Sequence, residues 1–346
     1  MKAVCFKEIG KVECIDLPEP VISEPGDAIV KAVCSGLCGS DLHPFHGREK
    51  GMDVNAVMGH EMVGEVVEVG SSVSNFKTGD IVYAPFSTNC GHCFYCQNGL
   101  PSRCVSGQLF GWVSNGIGLE GCQSEFVRVP LADGTLMKKP DSLSDVSALL
   151  LGDNFSTGFF CAEMAEIKPE GTYVVVGCGT VGLLCILAAK SMGAETIIAI
   201  DPVAQRREQA AALGAIPATE DSARSIVLDL TAGRGADGVM ELVGVPEAQK
   251  LAFELIRPGG IMSVIGCHCT PNFAFSPVDA YDKNLTYRTG RCPARKYMQL
   301  LTDRVASGEF DIDSFVTHEF DATDCVTAYD VFSNRKDGCL KAVFRF

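Results

Sequence analysis

The sequence predicts a mixed α/β protein of two units, one β-rich and one built on a parallel sheet. Three observations carry that expectation. The first 80 residues hold short Val- and Ile-rich runs, Ala28–Cys34, Met62–Val69 and Asp80–Tyr83, bounded by Gly, Pro, Ser or Asp. From about Lys168, strand-like and helix-like runs alternate, the pattern of a parallel sheet with helices on its faces. After about Pro293 a helix, a loop and a final helix and strand close the chain, as a return to the first unit. At 346 residues there is enough chain for two ordinary domains, each with its own core.

The elements follow in order. Residues 86–125 show little periodicity but many Cys and Gly, and read as irregular structure held by something other than a core. Thr172–Gly177 reads as a strand, followed by a Gly-rich turn and an apolar helix, Val181–Met192. Strand Thr196–Asp201 and a helix from about Ala204 to Leu213 come next. Gly238–Val243, Ile261–Gly266 and Leu285–Thr289 are further strand candidates, and Ala294–Ala306 is a helix.

Composition narrows the function classes. An odd count of 17 Cys in a chain of this length does not fit a disulfide scaffold. The N-terminus alternates apolar and polar residues and lacks the apolar core of a signal peptide. No run of 18 apolar residues is present, so no membrane span is expected. A net charge of −14 repels nucleic-acid phosphates and anionic lipid, which excludes both as expected partners. A soluble cytoplasmic protein remains, with thiols that are reduced or on metal.

Gly177-Cys-Gly179-Thr180-Val181-Gly182 lies directly after a strand and opens a helix, the context a dinucleotide fingerprint requires. The first Gly permits the tight turn and the second lets a pyrophosphate approach the backbone. The third allows close helix–strand packing. Phosphates would then face helix N-terminal amides. Asp201 ends the next strand. A carboxylate there accepts both hydroxyls of an adenosine ribose and repels a 2′-phosphate, so NAD is expected. Arg206 and Arg207 stand close behind and keep NADP as the alternative.

Cys90-x2-Cys93-x2-Cys96-x7-Cys104 is the strongest local signal. Four thiolates surround one tetrahedral Zn2+ and tie down a loop with little core of its own. Iron–sulfur ligation is the minor alternative. His92 lies inside the loop but is not needed as a ligand. A second constellation combines Cys38-Gly-Ser40-Asp41-Leu-His43, Gly59-His60-Glu61 and Gly152-Asp153. Thiolate, imidazole and carboxylate make a mixed shell with one position open, as a catalytic zinc requires.

On these motifs the chain resembles the zinc-dependent medium-chain alcohol dehydrogenases essentially from end to end. The matching segments include the Gly-His-Glu near residue 60, the four-Cys lobe, Ser156-Thr-Gly158, the Gly fingerprint and the C-terminal Gly-Cys-Leu-Lys run. Gly111-Trp112, Cys292-Pro293 and Thr317-His318 resemble the tetrameric secondary-alcohol dehydrogenases. Phe126–Pro130 and Arg288–Pro293 resemble the glutathione-independent formaldehyde-dehydrogenase-like branch. The resemblance implies a GroES-like catalytic domain over 1–154 and 293–346, with the structural zinc lobe at about 86–108. It implies a Rossmann doubly wound NAD-binding domain over 155–292.

It also implies roles. Cys38, His60 and Asp153 match the protein ligands of the catalytic zinc, and Glu61 a carboxylate able to approach it. Asp41 matches the acceptor that fixes the His60 tautomer. Ser40 and His43 match a proton relay, with His43 expected at an exposed cleft edge. Lys341 matches a cofactor contact. Two zinc ions per subunit and a homotetramer follow from the same likeness, with a dimer as runner-up. The secondary-alcohol relatives lack the four-Cys lobe and prefer NADP, so this chain departs from them at both points. They also carry an aliphatic residue where this chain has Arg291, which leaves Arg291 as a cofactor contact, an anion contact or a surface residue.

The chemistry expected is reversible oxidation of an alcohol, secondary alcohols preferred, to a ketone or aldehyde with hydride transfer to NAD. Phe86, Trp112 and Cys292 are the candidate pocket wall, and aromatic walls favour small apolar substituents. Competing readings are a formaldehyde dismutase or polyol dehydrogenase, and a non-catalytic nucleotide- or redox-sensing zinc protein. Cys5, Cys14, Cys161 and Cys185 read as small core residues. Cys178, at the fingerprint turn, is the thiol expected to be acidified by a helix N-terminus.

Overall fold

In the computed structural model, which describes residues 1–346, the chain leaves one unit after Ser156 and re-enters it at Pro293. The first unit is Met1–Ser156 with Pro293–Phe346, and the second is Thr157–Cys292.

The first unit is organised by a seven-stranded sheet. Its order is His318–Asp321, Ala342–Arg345, Ala28–Leu37, Met62–Val69, Ile81–Tyr83 and Met137–Lys138, with Phe126–Val129 also pairing Ala28–Leu37. Ala28–Leu37 is the spine, ten residues long and paired with three neighbours. Its register places Leu37 opposite Ala342 and Ser35 opposite Met62. Chain segments just beyond these strand ends therefore meet at one end of the sheet. One side packs on Val30, Met62, Val66, Val82, Phe110 and Leu136. A second core joins Leu37, Met58, Tyr329 and Phe344 under the helix Cys325–Ser333.

The 86–125 region is more ordered than its composition indicates. Phe94–Gln97 is a short helix, and Trp112–Ser114 pairs with Ile117–Leu119 in a hairpin. Asn115 and Gly116 form its turn, both at positive φ (53° and 71°), as a twisted two-residue hairpin demands. Asp53 accepts their two backbone N–H groups at 2.9 and 2.7 Å.

The second unit is a six-stranded, all-parallel sheet ordered Ile216–Ala218, Thr196–Ile200, Thr172–Val176, Ala236–Glu241, Ile256–Val264, Thr286–Thr289. The order reverses between Thr172–Val176 and Ala236–Glu241, which makes that gap the topological switch point. Helices Thr180–Ser191, Ala204–Ala212, Glu220–Leu230 and Pro246–Leu255 connect the strands. The last two were not anticipated: Glu220–Leu230 buries only Ala223 and Val227, too few apolar positions to stand out in the sequence. No helix is long and apolar enough to cross a membrane.

Candidate metal centre and dinucleotide turn

Three strand ends and one helix end assemble the first cluster. Cys38 follows the spine strand, Glu61 precedes Met62–Val69, and Lys341 precedes Ala342–Arg345. Asp153 terminates helix Asp145–Gly152, whose N-terminus is capped by Ser144 accepting from the Ser147 N–H. The Cys38 sulfur, a His60 ring nitrogen and one oxygen each of Glu61 and Asp153 lie within 4.8 Å of one another. Cys38 Sγ and His60 Nε2 are each 3.5 Å from Asp153 Oδ2. Gly36 makes room for the group, because a Cβ there would meet Glu61 Oε2 at 1.8 Å.

A supporting shell fixes the donors. Asp41 Oδ1 lies 3.0 Å from His60 Nδ1, which turns Nε2 toward the cluster. Asp41 Oδ2 accepts the Cys38 N–H at 2.8 Å and Gln123 Nε2 at 3.3 Å. Tyr329 donates to Gln123 Oε1 at 3.0 Å, so the chain of contacts reaches the inner face of helix Cys325–Ser333. Burial opposes charge on His60, but Asp41 and Asp153 outweigh it and raise its pKa well above 6.5. Burial, reinforced by Asp153, pushes the Cys38 thiol up. A buried thiol, imidazole and two carboxylates at this separation fit a divalent cation with mixed S, N and O ligands.

Asn154 was missed by sequence reasoning, although it directly follows Asp153. Its Nδ2 donates to Glu61 Oε1 at 2.9 Å and to Asp153 Oδ2 at 3.1 Å, and it lies 3.9 Å from Cys38 Sγ. Its Oδ1 is buried with no hydrogen-bond partner. An unsatisfied polar atom beside a donor cluster is a second mark of a site that holds something.

Several expectations are placed differently. Lys341, expected at the cofactor, has its ammonium buried 2.6 and 2.7 Å from the two Glu61 oxygens. His43, expected at an exposed edge, is only 7% exposed, and burial lowers its pKa. Ser40 is exposed, its hydroxyl 3.3 Å from His60 Nε2. Cys38 holds the N-cap position of the turn Gly39–Asp41. Phe86 and Trp112 are half-buried in the first unit; Cys292, buried, and Arg291, exposed, end the second.

The four-Cys lobe gathers the sulfurs of Cys90, Cys93, Cys96 and Cys104 within 4.8 Å of one another. Backbone N–H groups of Cys96 and Val105 hold the Cys93 thiol down at about 6. The Cys93 N–H donates to Cys90 Sγ at 3.3 Å, and the Cys90 N–H to Cys104 Sγ at 3.2 Å. Four sulfurs gathered this closely, with amide N–H groups directed at them, fit a tetrahedral zinc. His92 is exposed, with Nδ1 2.8 Å from the Cys90 carbonyl, and stands outside the four.

In the second unit, the fingerprint residues sit at the carboxyl end of Thr172–Val176, beside the switch point. Gly177 adopts φ 93°. A Cβ on Gly182 would meet the Gly177 carbonyl at 1.9 Å, while one on Gly179 meets nothing nearer than Arg206 Nη1 at 3.8 Å. The third Gly is thus a packing requirement and the second faces open space. Gly179 begins helix Thr180–Ser191 with no side-chain cap, leaving its first amides for a ligand. Asp201 is 3% exposed and accepts the Cys178 N–H at 2.9 Å and the Val203 N–H at 2.8 Å. Arg206 Nη1 lies 3.8 Å from Asp201 Oδ2. Arg207 is spent on the Asp201 and Pro202 carbonyls. Cys178 is not acidified: burial pushes its thiol up to about 12. It joins Cys5, Cys161 and Cys185 as buried core, while Cys14 is half-buried.

Comparison with known proteins agrees with this geometry. Residues 24–141 match the family description "Alcohol dehydrogenase GroES-like domain", and residues 180–307 match "Zinc-binding dehydrogenase". The zinc-type alcohol dehydrogenase B of Aspergillus flavus is 39% identical, over 100% of this chain and 81% of the relative. The NADP-dependent isopropanol dehydrogenase of Clostridium beijerinckii is 32% identical, over 99% of each. The solved alcohol dehydrogenase from Thermus sp. ATN1 superposes with a TM-score of 0.92 at 34% identity, over 100% of this chain and 99% of that one.

Proposed function

The chain belongs to the zinc-dependent medium-chain alcohol dehydrogenases, oxidoreductases acting on CH–OH donors, and from that premise we propose that it interconverts secondary alcohols and ketones with NAD. The observation that carries the reading is the Cys38–His60–Asp153 donor set with Ser40 Oγ beside its imidazole. Cys38, His60 and Asp153 would hold a zinc ion, which would supply Lewis acidity toward an alcohol hydroxyl, and the fingerprint turn would hold the dinucleotide that serves as hydride acceptor.

The protein's own groups do the rest. Asp41 holds His60 in the tautomer with Nε2 free to ligate. Ser40, exposed and next to that nitrogen, takes the substrate hydroxyl proton, and His43, kept neutral by burial, passes it on. Cys90, Cys93, Cys96 and Cys104 hold a second, structural zinc. Gly177, Gly179, Thr180, Val181 and Gly182 cradle the pyrophosphate, and Asp201 accepts from the ribose hydroxyls. The isopropanol dehydrogenase of Clostridium beijerinckii supports a secondary-alcohol substrate, while Asp201 favours NAD over that relative's NADP. A cytoplasmic homotetramer completes the reading.

The test is a kinetic panel on zinc-loaded protein with 2-butanol, ethanol, butanediol, sorbitol and formaldehyde, each with NAD and NADP. The reading expects 2-butanol and NAD to lead, and Cys38→Ser and His60→Ala to lose turnover while remaining folded. Leading rates with sorbitol or formaldehyde would replace the substrate, and retained turnover in Cys38→Ser would remove the metal site.

A further inference from the structure

We propose that Cys267 and Cys269 form a reversible disulfide at the carboxyl edge of the parallel sheet, and that its formation weakens dinucleotide binding. Of the 17 cysteines, only these two are exposed. They flank His268 in the segment that follows strand Ile256–Val264. His268 is held inward, its Nε2 2.9 Å from Oε2 of Glu241, a carboxylate with no exposure. His268 is thus turned to a buried carboxylate while the cysteines on either side of it are exposed. The two sulfurs lie within 4.8 Å of each other.

The position gives the pair a consequence. Glu241 also accepts the N–H groups of Val243 and Gly244 through Oε1, at 2.7 and 2.8 Å. Val243 in turn abuts the fingerprint: a Cβ on Gly177 would meet its Cγ2 at 2.6 Å. One buried carboxylate therefore ties the dithiol segment to the loop that packs on the dinucleotide turn. Ligands of such sheets bind at this edge, at the switch point. Closing a ring over one intervening residue draws the segment tighter and shifts the backbone that His268 anchors.

The redox step balances with a small disulfide as oxidant. One cysteine thiolate attacks it, forming a mixed disulfide and expelling a small thiolate. The second cysteine attacks the protein sulfur of that bond and expels the other. Two protein S–H bonds become one S–S bond, and two protons and two electrons reduce the oxidant to two thiols. A ring this small is strained, and strained, exposed disulfides are readily reduced again.

The proposal rests on reading the second unit as dinucleotide-binding, and the test separates the two. Protein is oxidised with glutathione disulfide, and peptides are mapped by mass spectrometry. NADH is titrated by fluorescence before and after oxidation, and again after dithiothreitol. The expected result is a 267–269 peptide lacking two hydrogens, an NADH Kd raised about tenfold, and full reversal. Cys267→Ser and Cys269→Ser should bind NADH as the reduced protein does and no longer respond. A peptide that keeps both thiols or carries only glutathione overturns the switch, as does an unchanged Kd with the disulfide in place. Reduced protein that binds neither NADH nor NADPH overturns the dinucleotide reading itself.

Discussion

Lys341 sets its ammonium 2.6 and 2.7 Å from the two carboxylate oxygens of Glu61, and both side chains are 1% exposed. Burial disfavours the ammonium, but Glu61 and Cys38 outweigh it and raise its pKa above 10.5. Burial pushes the Glu61 carboxyl up against the pull of Lys341, and the contact with both carboxylate oxygens holds the two as an ion pair. Lys341→Met leaves a buried carboxylate without its counter-ion, at a cost of about 3–5 kcal/mol. Adding Glu61→Gln should return much of that loss. Urea unfolding of the parent, the two single variants and the double variant reads this directly, and a Lys341→Met protein as stable as the parent would remove the ion pair from the account.

Asn154 touches two members of the donor cluster and tethers Glu61 to Asp153. Groups that orient metal ligands change affinity when lost, by about 10–100-fold in comparable sites. Asn154→Ala should weaken zinc retention on that scale in competition with a chromophoric chelator. The four-Cys lobe supplies the control, since its zinc should be retained as in the parent.

Much of this was legible in the sequence, and the exceptions share a cause. The four-Cys lobe and the Gly fingerprint are local: ligands or turn residues lie within a few positions of each other, so spacing alone exposes them. Cys38, His60 and Asp153 needed the resemblance, because the register of Ser35 against Met62 brings the first two together and helix Asp145–Gly152, packed on those strands, brings the third, and neither is written in any short segment. The ion pair of Lys341 was not legible for the same reason. Its partner Glu61 is 280 positions away. The hairpin at Asn115-Gly116 was a different kind of miss, for the Asn-Gly turn signal was present but set among Gly and Cys that masked the short strands. Cys178 shows the limit of helix-terminus reasoning: burial, not the dipole, decides its thiol.

The lobe should fail before the chemistry does. Phe94, Leu100 and Val105 are exposed, so the lobe has little apolar burial of its own and depends on its four sulfurs. Cys93→Ser should remove one zinc per chain and lower the thermal midpoint by about 5 °C or more. Turnover per folded molecule at low temperature should change little. Metal analysis paired with calorimetry checks both halves, and a zinc count that stays the same would show that Cys93 is not a ligand.

Asp201 accepts the Cys178 and Val203 amides with its two carboxylate oxygens, and the proposed function gives the same group a second duty toward the ribose. Arg206 stands 3.8 Å away. Asp201→Gly removes the negative charge and leaves Arg206 to meet a 2′-phosphate. The ratio of kcat/KM for NAD to that for NADP should fall by about tenfold or more, a change of roughly 1.4 kcal/mol in discrimination. An unchanged ratio would show that the carboxylate serves the turn and not the ribose.

His43 provides a pH test with a defined sign. Burial, with a smaller push from Arg48, lowers its folded pKa below the ordinary 6.5, although Asp41 pulls the other way. The unfolded chain therefore binds the proton more readily than the folded one. Stability linked to His43 is complete above about pH 6.5 and is lost as the pH falls through the folded value. One such group contributes a slope of at most about 1.4 kcal/mol per pH unit. In His43→Gln the fall in unfolding free energy between about pH 7 and pH 5.5 should be shallower than in the parent by up to that amount. Other titrating groups, His60 among them, are common to both proteins and cancel in the difference. Parallel pH profiles for the two would mean that His43 takes up its proton as easily in the folded protein as in the unfolded chain, and the neutral imidazole assigned to the relay would have no basis.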